Sequence, residues 1–144
     1  DVNQYTGYSV RKYHPRAGYS STVGTEALNY KNNYRVIRFS DILLMASEAL
    51  LRSGGSVGEA QDYYARVVKR AMGDDYKVPT VSLDNIYKER RYEFAMEGIR
   101  YWDLVRTNQA KDFIKGWDDT KKYLPIPQSE IDKSDGHLVQ NPHF

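Results

Sequence analysis

The chain has 144 residues, no cysteine, and 21 basic side chains against 19 acidic ones. The length suits one domain with its own core. The absence of cysteine excludes disulfides, zinc thiolate sites and thiol catalysis, and interspersed charges of both signs argue against nucleic acid as a partner. No stretch reaches the roughly 18 consecutive apolar residues of a membrane span, and the first residues lack a signal-peptide pattern. We therefore expect the chain itself to be soluble.

Residues 1–38 are rich in tyrosine, glycine and asparagine and show no sustained period of 2 or 3.6. We expect an irregular lead-in segment over 1–38, with a short strand near Tyr8 to Tyr13 as one interpretation. A helical domain over 39–144 follows, and the chain has a single domain overall. So long a structureless segment indicates contact with other parts of a larger protein. Tyrosine has a flat apolar face and a polar edge that suit sugar rings, so the candidate ligand-binding residues are Tyr5, Tyr8, Tyr13 and Tyr19.

A first helix is predicted to begin after Ser40, which suits an N-cap, and to end at Gly54 and Gly55. Asp41 lies in the first turn, where the helix dipole favours an acid. The apolar side chains at helical spacing, which we expect to face the core, are Ile42, Met45, Ala46, Ala49 and Leu50.

A second helix is predicted to open with the capping box Ser56 to Glu59 and to close near Gly73. The predicted turn between the first and second helices has only two or three residues, so the two helices must pack antiparallel. Ala60 and Tyr64 match the Ala-x-x-x-Phe part of the tetratricopeptide repeat. We expect the inner face to be Ala60, Tyr64, Val67, Val68 and Ala71.

A third helix is predicted after Ser82 and ends at Gly98, and a fourth follows at once and fades before Gly116. Beyond it, Pro125, Pro127 and Pro142 remove backbone donors. The tail is therefore predicted to be extended, with one helical turn around residues 129–132. The fold class is all-α, with antiparallel helical hairpins between irregular ends.

Charged residues of both signs alternate with aromatics at helical spacing over residues 89–106. Glu89, Glu93 and Glu97 recur every four residues, so they repel one another unless cations lie between them. Arginines within and after this helix can pair with them bidentately. We interpret the set as a structural ion-pair clamp in which Arg100 and Glu97 hold the helix corner. Its members are Glu89, Arg90, Glu93, Glu97, Arg100, Asp103 and Arg106.

Other chemistries have weaker support. Two of these acids could serve a glycoside hydrolase, but neighbouring arginines lower a carboxyl pKa whereas a general acid needs a raised one. His14, His137 and His143 have no metal-ligand spacing, so no metal and no cofactor is expected. The serines lack a Gly-x-Ser-x-Gly context. The prediction is that the chain is not an enzyme.

Three motifs in order carry a resemblance to a known family. They are residues 34–49 (Tyr-Arg-Val-Ile-Arg-Phe-Ser-Asp-Ile-Leu-Leu-Met-Ala-Ser-Glu-Ala), the block 89–106, and a closing pair, Tyr-Leu-Pro-Ile-Pro-Gln-Ser-Glu-Ile-Asp at 123–132 with Gln-Asn-Pro-His-Phe at 140–144. Together they resemble the C-terminal portion of the SusD/RagB family of nutrient-binding outer-membrane lipoproteins. The chain departs from the family pattern at Ser40, at Ser47 and over residues 133–136.

The resemblance implies an all-α fold with tetratricopeptide-like helix pairs. It also implies a lipid-anchored protein on the surface of the outer membrane in Bacteroidetes, which binds an oligosaccharide or other nutrient and covers a SusC-like TonB-dependent transporter. Under it, this chain is mainly scaffold, and the lipid anchor lies outside it. The alternative is a helical-repeat protein–protein interaction module without sugar binding.

Overall fold

The computed structural model describes residues 10–14, 18 and 31–144 of the chain. Over these residues the fold is all-α, which confirms the predicted class. A 3₁₀ turn at Arg11–Tyr13 comes first, so these residues do not form the short strand that was one interpretation. A second 3₁₀ turn, Asp119–Lys122, precedes the last helix. The α-helices are α1 (Phe39–Ser53), α2 (Val57–Met72), α3 (Leu83–Glu93), α4 (Arg100–Arg106), α5 (Ala110–Phe113) and α6 (Gln128–Lys133).

The first two helices form the predicted hairpin. α1 ends at Gly54, whose φ of 71° lies in the left-handed region that glycine adopts without strain. α2 is capped by Ser56, whose hydroxyl accepts a hydrogen bond from the amide of Glu59 at 3.2 Å. Because only three residues separate the helices, they pack antiparallel. α1 also packs against α3, so the three helices share one core.

α1 begins at Phe39, two residues earlier than predicted. Its N-cap is Arg38, in an extended conformation, and the carbonyl of Arg38 accepts from the amide of Asp41 at 2.9 Å. The prediction that Ser40 is the N-cap is therefore wrong. The hydroxyl of Ser40 is buried and has no hydrogen-bond partner within the described residues. The start of the helix is set instead by Arg38, whose side chain is held by Glu93 at the end of α3.

The predicted inner face of α1 is also wrong. Ile42 and Met45 are 45% and 41% exposed, and the buried residues are Leu43, Leu44, Ser47 and Glu48. Two polar side chains therefore enter the core, which an apolar stripe cannot predict. The hydroxyl of Ser47 donates to the carbonyl of Ala60 in α2 at 2.7 Å, so its burial costs little. Both residues are small, and the two helices approach closely here.

The predicted inner face of α2 is confirmed at four positions. Ala60, Tyr64, Val67 and Val68 are buried, whereas Ala71 is exposed. Val67 packs in the same core as the fully buried Leu44 of α1 and Ile86 of α3. This core positions the ends of α1 and α3, where the charged residues meet.

α3 begins where the sequence predicts but ends earlier. Ser82 accepts from the amide of Asn85 at 3.1 Å, as an N-cap does. The helix ends at Glu93, before the predicted stop at Gly98, because Phe94 turns into the core and is only 4% exposed. Met96 then takes a φ of 66°, which is uncommon for a residue other than glycine.

The predicted fourth helix is two helices. α4 ends at Arg106, and the four-residue α5 follows after Asn108, whose φ of 58° is incompatible with a continuous helix. Ala110 is buried at the start of α5, and so is Leu104 in α4. The prediction of one continuous helix that fades before Gly116 is wrong, because Asn108 takes a left-handed conformation that the sequence pattern does not indicate.

The tail is extended with one short helix, as predicted. Ile126 lies between two prolines, and its amide donates to the Gln140 side-chain oxygen at 2.8 Å. The Gln140 side-chain nitrogen donates back to the carbonyl of Ile126 at 2.9 Å. Asn141 donates in the same way to the carbonyl of Leu124 at 2.7 Å. The two closing motifs are therefore attached to each other by side-chain amides.

The chain divides into two compact units, Asp1–Met96 and Glu97–Phe144. The predicted division into a lead-in segment over 1–38 and a helical domain over 39–144 stays a prediction. Among the described residues, no helix combines the length and the apolar character that crossing a bilayer requires.

Candidate functional site

A buried carboxylate, Glu93, lies at the centre of a cationic cluster in the first unit. Its side chain is 6% exposed. Arg38 Nη1 donates to Oε1 at 2.9 Å, and Arg70 Nη2 donates to Oε2 at 2.6 Å. We call Lys12, Arg38, Arg70 and Glu93 the Glu93 cluster. Because both oxygens accept charge-assisted hydrogen bonds, the buried charge is well satisfied.

The backbone of Glu93 binds the same cluster. α3 ends at this residue, so its carbonyl has no partner within the helix. Arg38 Nη2 donates to that carbonyl at 3.1 Å and Lys12 Nζ at 2.5 Å. Positive charge is favoured at a helix C-terminus by the helix dipole. The cluster thus attaches the 3₁₀ turn and the start of α1 to the end of α3.

The partners of Glu93 differ from those expected along the helix. Arg38 and Arg70 are 55 and 23 residues away in sequence. Arg90, the expected neighbour, is itself 6% exposed at its side chain and donates to Asp41 of α1 at 2.6 Å. The guanidinium groups of Arg38 and Arg90 lie 4.8 and 5.1 Å from the ring centroid of Phe94. Phe94 therefore adds two cation–π contacts to the ion pairs.

Glu89, one turn before Glu93, is half-buried and lines a cavity of about 180 Å³ that also contains three tyrosines. Burial, and then the negative charge of Glu93, raise the pKa of Glu89, while Arg70 opposes the shift. Glycoside hydrolysis needs a second carboxylate as base or nucleophile. Glu93 is poorly suited to that role because both of its oxygens are bound by arginines.

Four residues of the predicted clamp lie in the second unit: Glu97, Arg100, Asp103 and Arg106. Asp103 is buried and accepts from Arg106 Nε at 2.8 Å within α4. The guanidinium of Arg100 lies 5.1 Å from the ring centroid of Phe113, which connects α4 with α5. The hypothesis that Glu97 and Arg100 hold the helix corner stays a prediction.

A second buried polar group was missed by the sequence analysis. Glu48 of α1, 5% exposed, accepts from Arg52 Nε at 2.8 Å and from the hydroxyl of Tyr87 in α3 at 3.3 Å. Arg52 also donates to that hydroxyl. Burial, followed by the charge of Glu48, raises the pKa of Tyr87. The i, i+4 spacing of Glu48 and Arg52 was the available sequence signal.

Of the four candidate ligand-binding tyrosines, Tyr5, Tyr8 and Tyr19 lie outside the described residues. Tyr13 lines a cavity of about 410 Å³ whose described walls are polar and basic, with four cations and His14. The cations are Arg11, Lys12, Lys31 and Arg35. Tyr13 is thus near space for a polar ligand, and its role in binding stays a prediction. Within the described part of the chain, no group of three or more acidic or histidine side chains is placed to hold a metal.

The described residues form an all-α protein in which a helical hairpin packs against a third helix and arginines bind the buried carboxylates Glu48 and Glu93. The sequence model of the SusD family matches residues 2–122. The chain therefore belongs to the SusD family, as the three motifs predicted.

Solved structures and curated sequences agree with this assignment. The fold is similar to surface glycan-binding protein A from Bacteroides thetaiotaomicron, with a TM-score of 0.69 and 44% identity, covering 83% of this chain and 26% of that one. It is also similar to a SusD-like protein from Bacteroides fragilis, with a TM-score of 0.60 and 26% identity, covering 78% of this chain and 26% of that one. SusD-like protein P2 of Formosa agariphila is 25% identical over 94% of this chain and 30% of its own length. The chain thus spans less than a third of the length of these relatives.

Proposed function

We propose that this chain is part of a non-catalytic glycan-binding protein on the outer-membrane surface, which works with a SusC-like TonB-dependent transporter. The observation that carries the proposal is the 44% identity, over 83% of the chain, to a protein named as a surface glycan-binding protein. Family membership over residues 2–122 supports the same role.

We infer that this chain contributes mainly scaffold to such a protein. Its buried charges, Glu93 and Glu48, are engaged by arginines and point to packing instead of proton transfer. Glu89 supplies one carboxyl with a raised pKa, and one such group does not make a hydrolase pair. These observations support a protein that binds a glycan without cleaving it.

Calorimetry of the natural protein that contains this chain, titrated with a panel of oligosaccharides, tests the proposal. We expect saturable binding of at least one glycan and no new reducing ends after prolonged incubation. Tyr13→Ala tests the one described candidate tyrosine, and the matched control is Tyr34→Ala, at an exposed position. Release of reducing sugar by the purified protein, or silence across the panel, contradicts the proposal.

The transporter partner requires its own test. We expect a SusC-like transporter to copurify with the natural protein from outer membranes in mild detergent. A parallel preparation from cells that lack the transporter gene is the control. Recovery of the protein without any transporter contradicts this part of the proposal.

One observation favours the alternative of a protein–protein interaction module. Four large apolar side chains around the start of α1 are strongly exposed, between 63% and 77%: Tyr34, Val36, Ile37 and Phe39. Exposed apolar groups of this size are typical of protein contacts. A tight soluble protein partner together with no glycan binding in the calorimetry favours this function over the first.

A further inference from the structure

A cavity of about 220 Å³ lies in the second unit, beside α4, α5 and the second 3₁₀ turn. Apolar and polar groups line it together. The apolar ones are Val105, Ala110 and Trp117, and the polar ones include Asn108 and Asp119. None of these residues belongs to the ion-pair clamp or to the candidate tyrosines. Binding sites for small molecules typically combine apolar walls with a few placed polar groups.

The segment that presents Trp117 is closely held. Gly116 takes a φ of 73°, which lets the chain reverse there. The amide of Trp117 donates to the carbonyl of Ile114 at 3.1 Å, and its indole nitrogen donates to Asp119 at 3.4 Å. Hydrogen bonds therefore hold both the backbone of Trp117 and its half-buried indole ring.

Two further contacts hold the segment from either side. The ring of Tyr101 in α4 meets that of Trp117 at 6.1 Å with an interplanar angle of 61°, and the hydroxyl of Tyr101 donates to the carbonyl of Lys121. Asp118 caps the 3₁₀ turn by accepting from the amide of Thr120 at 2.9 Å. A site ordered before binding loses less conformational entropy when a ligand arrives.

The chemistry of this lining matches a sugar ring. An indole offers an apolar surface for the C–H groups of a pyranose. The carboxylate of Asp119 accepts hydrogen bonds from hydroxyls, the amide of Asn108 both donates and accepts, and Lys111 and Lys122 donate. Lys122 Nζ pairs with Asp119 Oδ1 at 3.2 Å, so the two charged groups lie side by side at the cavity. The cavity is smaller than the roughly 300–1,000 Å³ typical for drug-sized ligands, so it suits a single ring.

We propose that this cavity is a carbohydrate subsite that takes one pyranose ring of a glycan against Trp117. The proposal rests on the proposed function, because that function makes a glycan the ligand. It adds a sugar-contacting position in the part of the chain that was interpreted as scaffold.

Nuclear magnetic resonance of the ¹⁵N-labelled chain tests this, because the protein has two tryptophans and therefore two indole N–H signals. The chain is titrated with the methyl pyranosides of glucose, galactose and mannose and with glucuronate. We expect at least one sugar to move the Trp117 signal saturably and to leave that of Trp102 in place. Trp102 is the matched control, since it is 49% exposed and its ring also contacts that of Tyr101, at 5.0 Å between centroids.

Two variants complete the experiment. Trp117→Ala is expected to weaken binding by about tenfold, whereas Trp102→Ala leaves the affinity unchanged. Asp119→Asn keeps the size of the side chain and is expected to weaken binding a few-fold with the fold intact, as circular dichroism checks. If no sugar moves the Trp117 signal, or if Trp117→Ala binds like the parent chain, the subsite is refuted. Glycan binding by calorimetry in that case shows that the subsite alone has failed, whereas silence in both measurements contradicts the proposed function as well.

Discussion

Arg38 binds Glu93 twice, through Nη1 to the carboxylate at 2.9 Å and through Nη2 to the backbone carbonyl at 3.1 Å. One side chain therefore neutralises a buried acid and also caps the end of α3. Because Arg38 is the N-cap of α1 and Glu93 is the last residue of α3, this pair joins the start of one helix to the end of another.

Replacing Glu93 by glutamine tests the stability that this carboxylate provides. An amide has one acceptor oxygen and no charge, so one of the two arginines loses its partner. We expect the free energy of unfolding to fall by about 1.5 to 3 kcal/mol, the range for a hydrogen bond to a charged group. Urea denaturation followed by circular dichroism measures this.

The control for that variant is Arg70→Gln. The Arg70 side chain is 62% exposed, and in this variant Glu93 keeps its charge and its hydrogen bonds from Arg38. The loss of stability should therefore be smaller than for Glu93→Gln, about 1 kcal/mol. An equal cost for the two variants contradicts the assignment of Glu93 as the buried centre.

Ser47→Ala removes a buried hydrogen bond between the helices of the hairpin. The hydroxyl donates to the carbonyl of Ala60 at 2.7 Å and is fully buried. We expect a loss of about 1 kcal/mol, and a larger loss of about 1 to 3 kcal/mol for Ser47→Val because the site is tightly packed. Ser53→Ala, at an exposed residue of the same helix, is the control and should change stability by less than about 0.5 kcal/mol. If thermal or chemical denaturation shows that Ser53→Ala loses more stability than Ser47→Ala, the contact is refuted.

Glu89 makes stability depend on pH in a definite direction. Burial and the charge of Glu93 raise the pKa of Glu89 above its ordinary 4.5. The folded state then binds the proton more tightly than the unfolded state. Its contribution to the free energy of unfolding is therefore greatest below pH 4.5 and is lost as the pH rises through the folded-state pKa.

Glu89→Gln should therefore gain stability relative to the parent as the pH rises above that value, because glutamine has no charge to bury. Urea midpoints at pH steps from acid to neutral measure the difference between the two proteins. Glu130→Gln, at an exposed residue, is the control for replacing a glutamate by glutamine. A difference for Glu89→Gln that runs the other way contradicts the raised pKa.

Arg100→Met tests the predicted clamp in the second unit. The guanidinium lies over the ring of Phe113, and the hypothesis pairs it with Glu97. Methionine fills the space without the charge. We expect a loss of at least about 1 kcal/mol, which lowers the melting temperature of a chain of this size by about 4 °C. Arg91→Met, at an exposed position of α3, is the control. Melting of Arg100→Met within about a degree of the parent refutes the clamp.

The start of α3 and the hairpin of α1 and α2 could be predicted from sequence because their signals are local. Ser82 accepts from an amide three residues later, and Gly54 takes the left-handed conformation that ends α1. Both depend on neighbours within one helical turn. The family could be predicted for a similar reason, since ordered motifs are read directly along the chain.

The partners of buried charges and the end of α3 were decided only by tertiary structure. Glu93 is neutralised by residues 55 and 23 positions away, and no spacing rule along α3 indicates them. Ser47 is buried although it is polar, because Ala60 of another helix accepts its hydrogen bond. The cavity at Trp117 likewise depends on packing between short elements that periodicity does not resolve. Sequence by itself therefore determined the helix caps, the hairpin and the family, whereas packing decided which faces are buried, because burial depends on contacts between segments far apart in the chain.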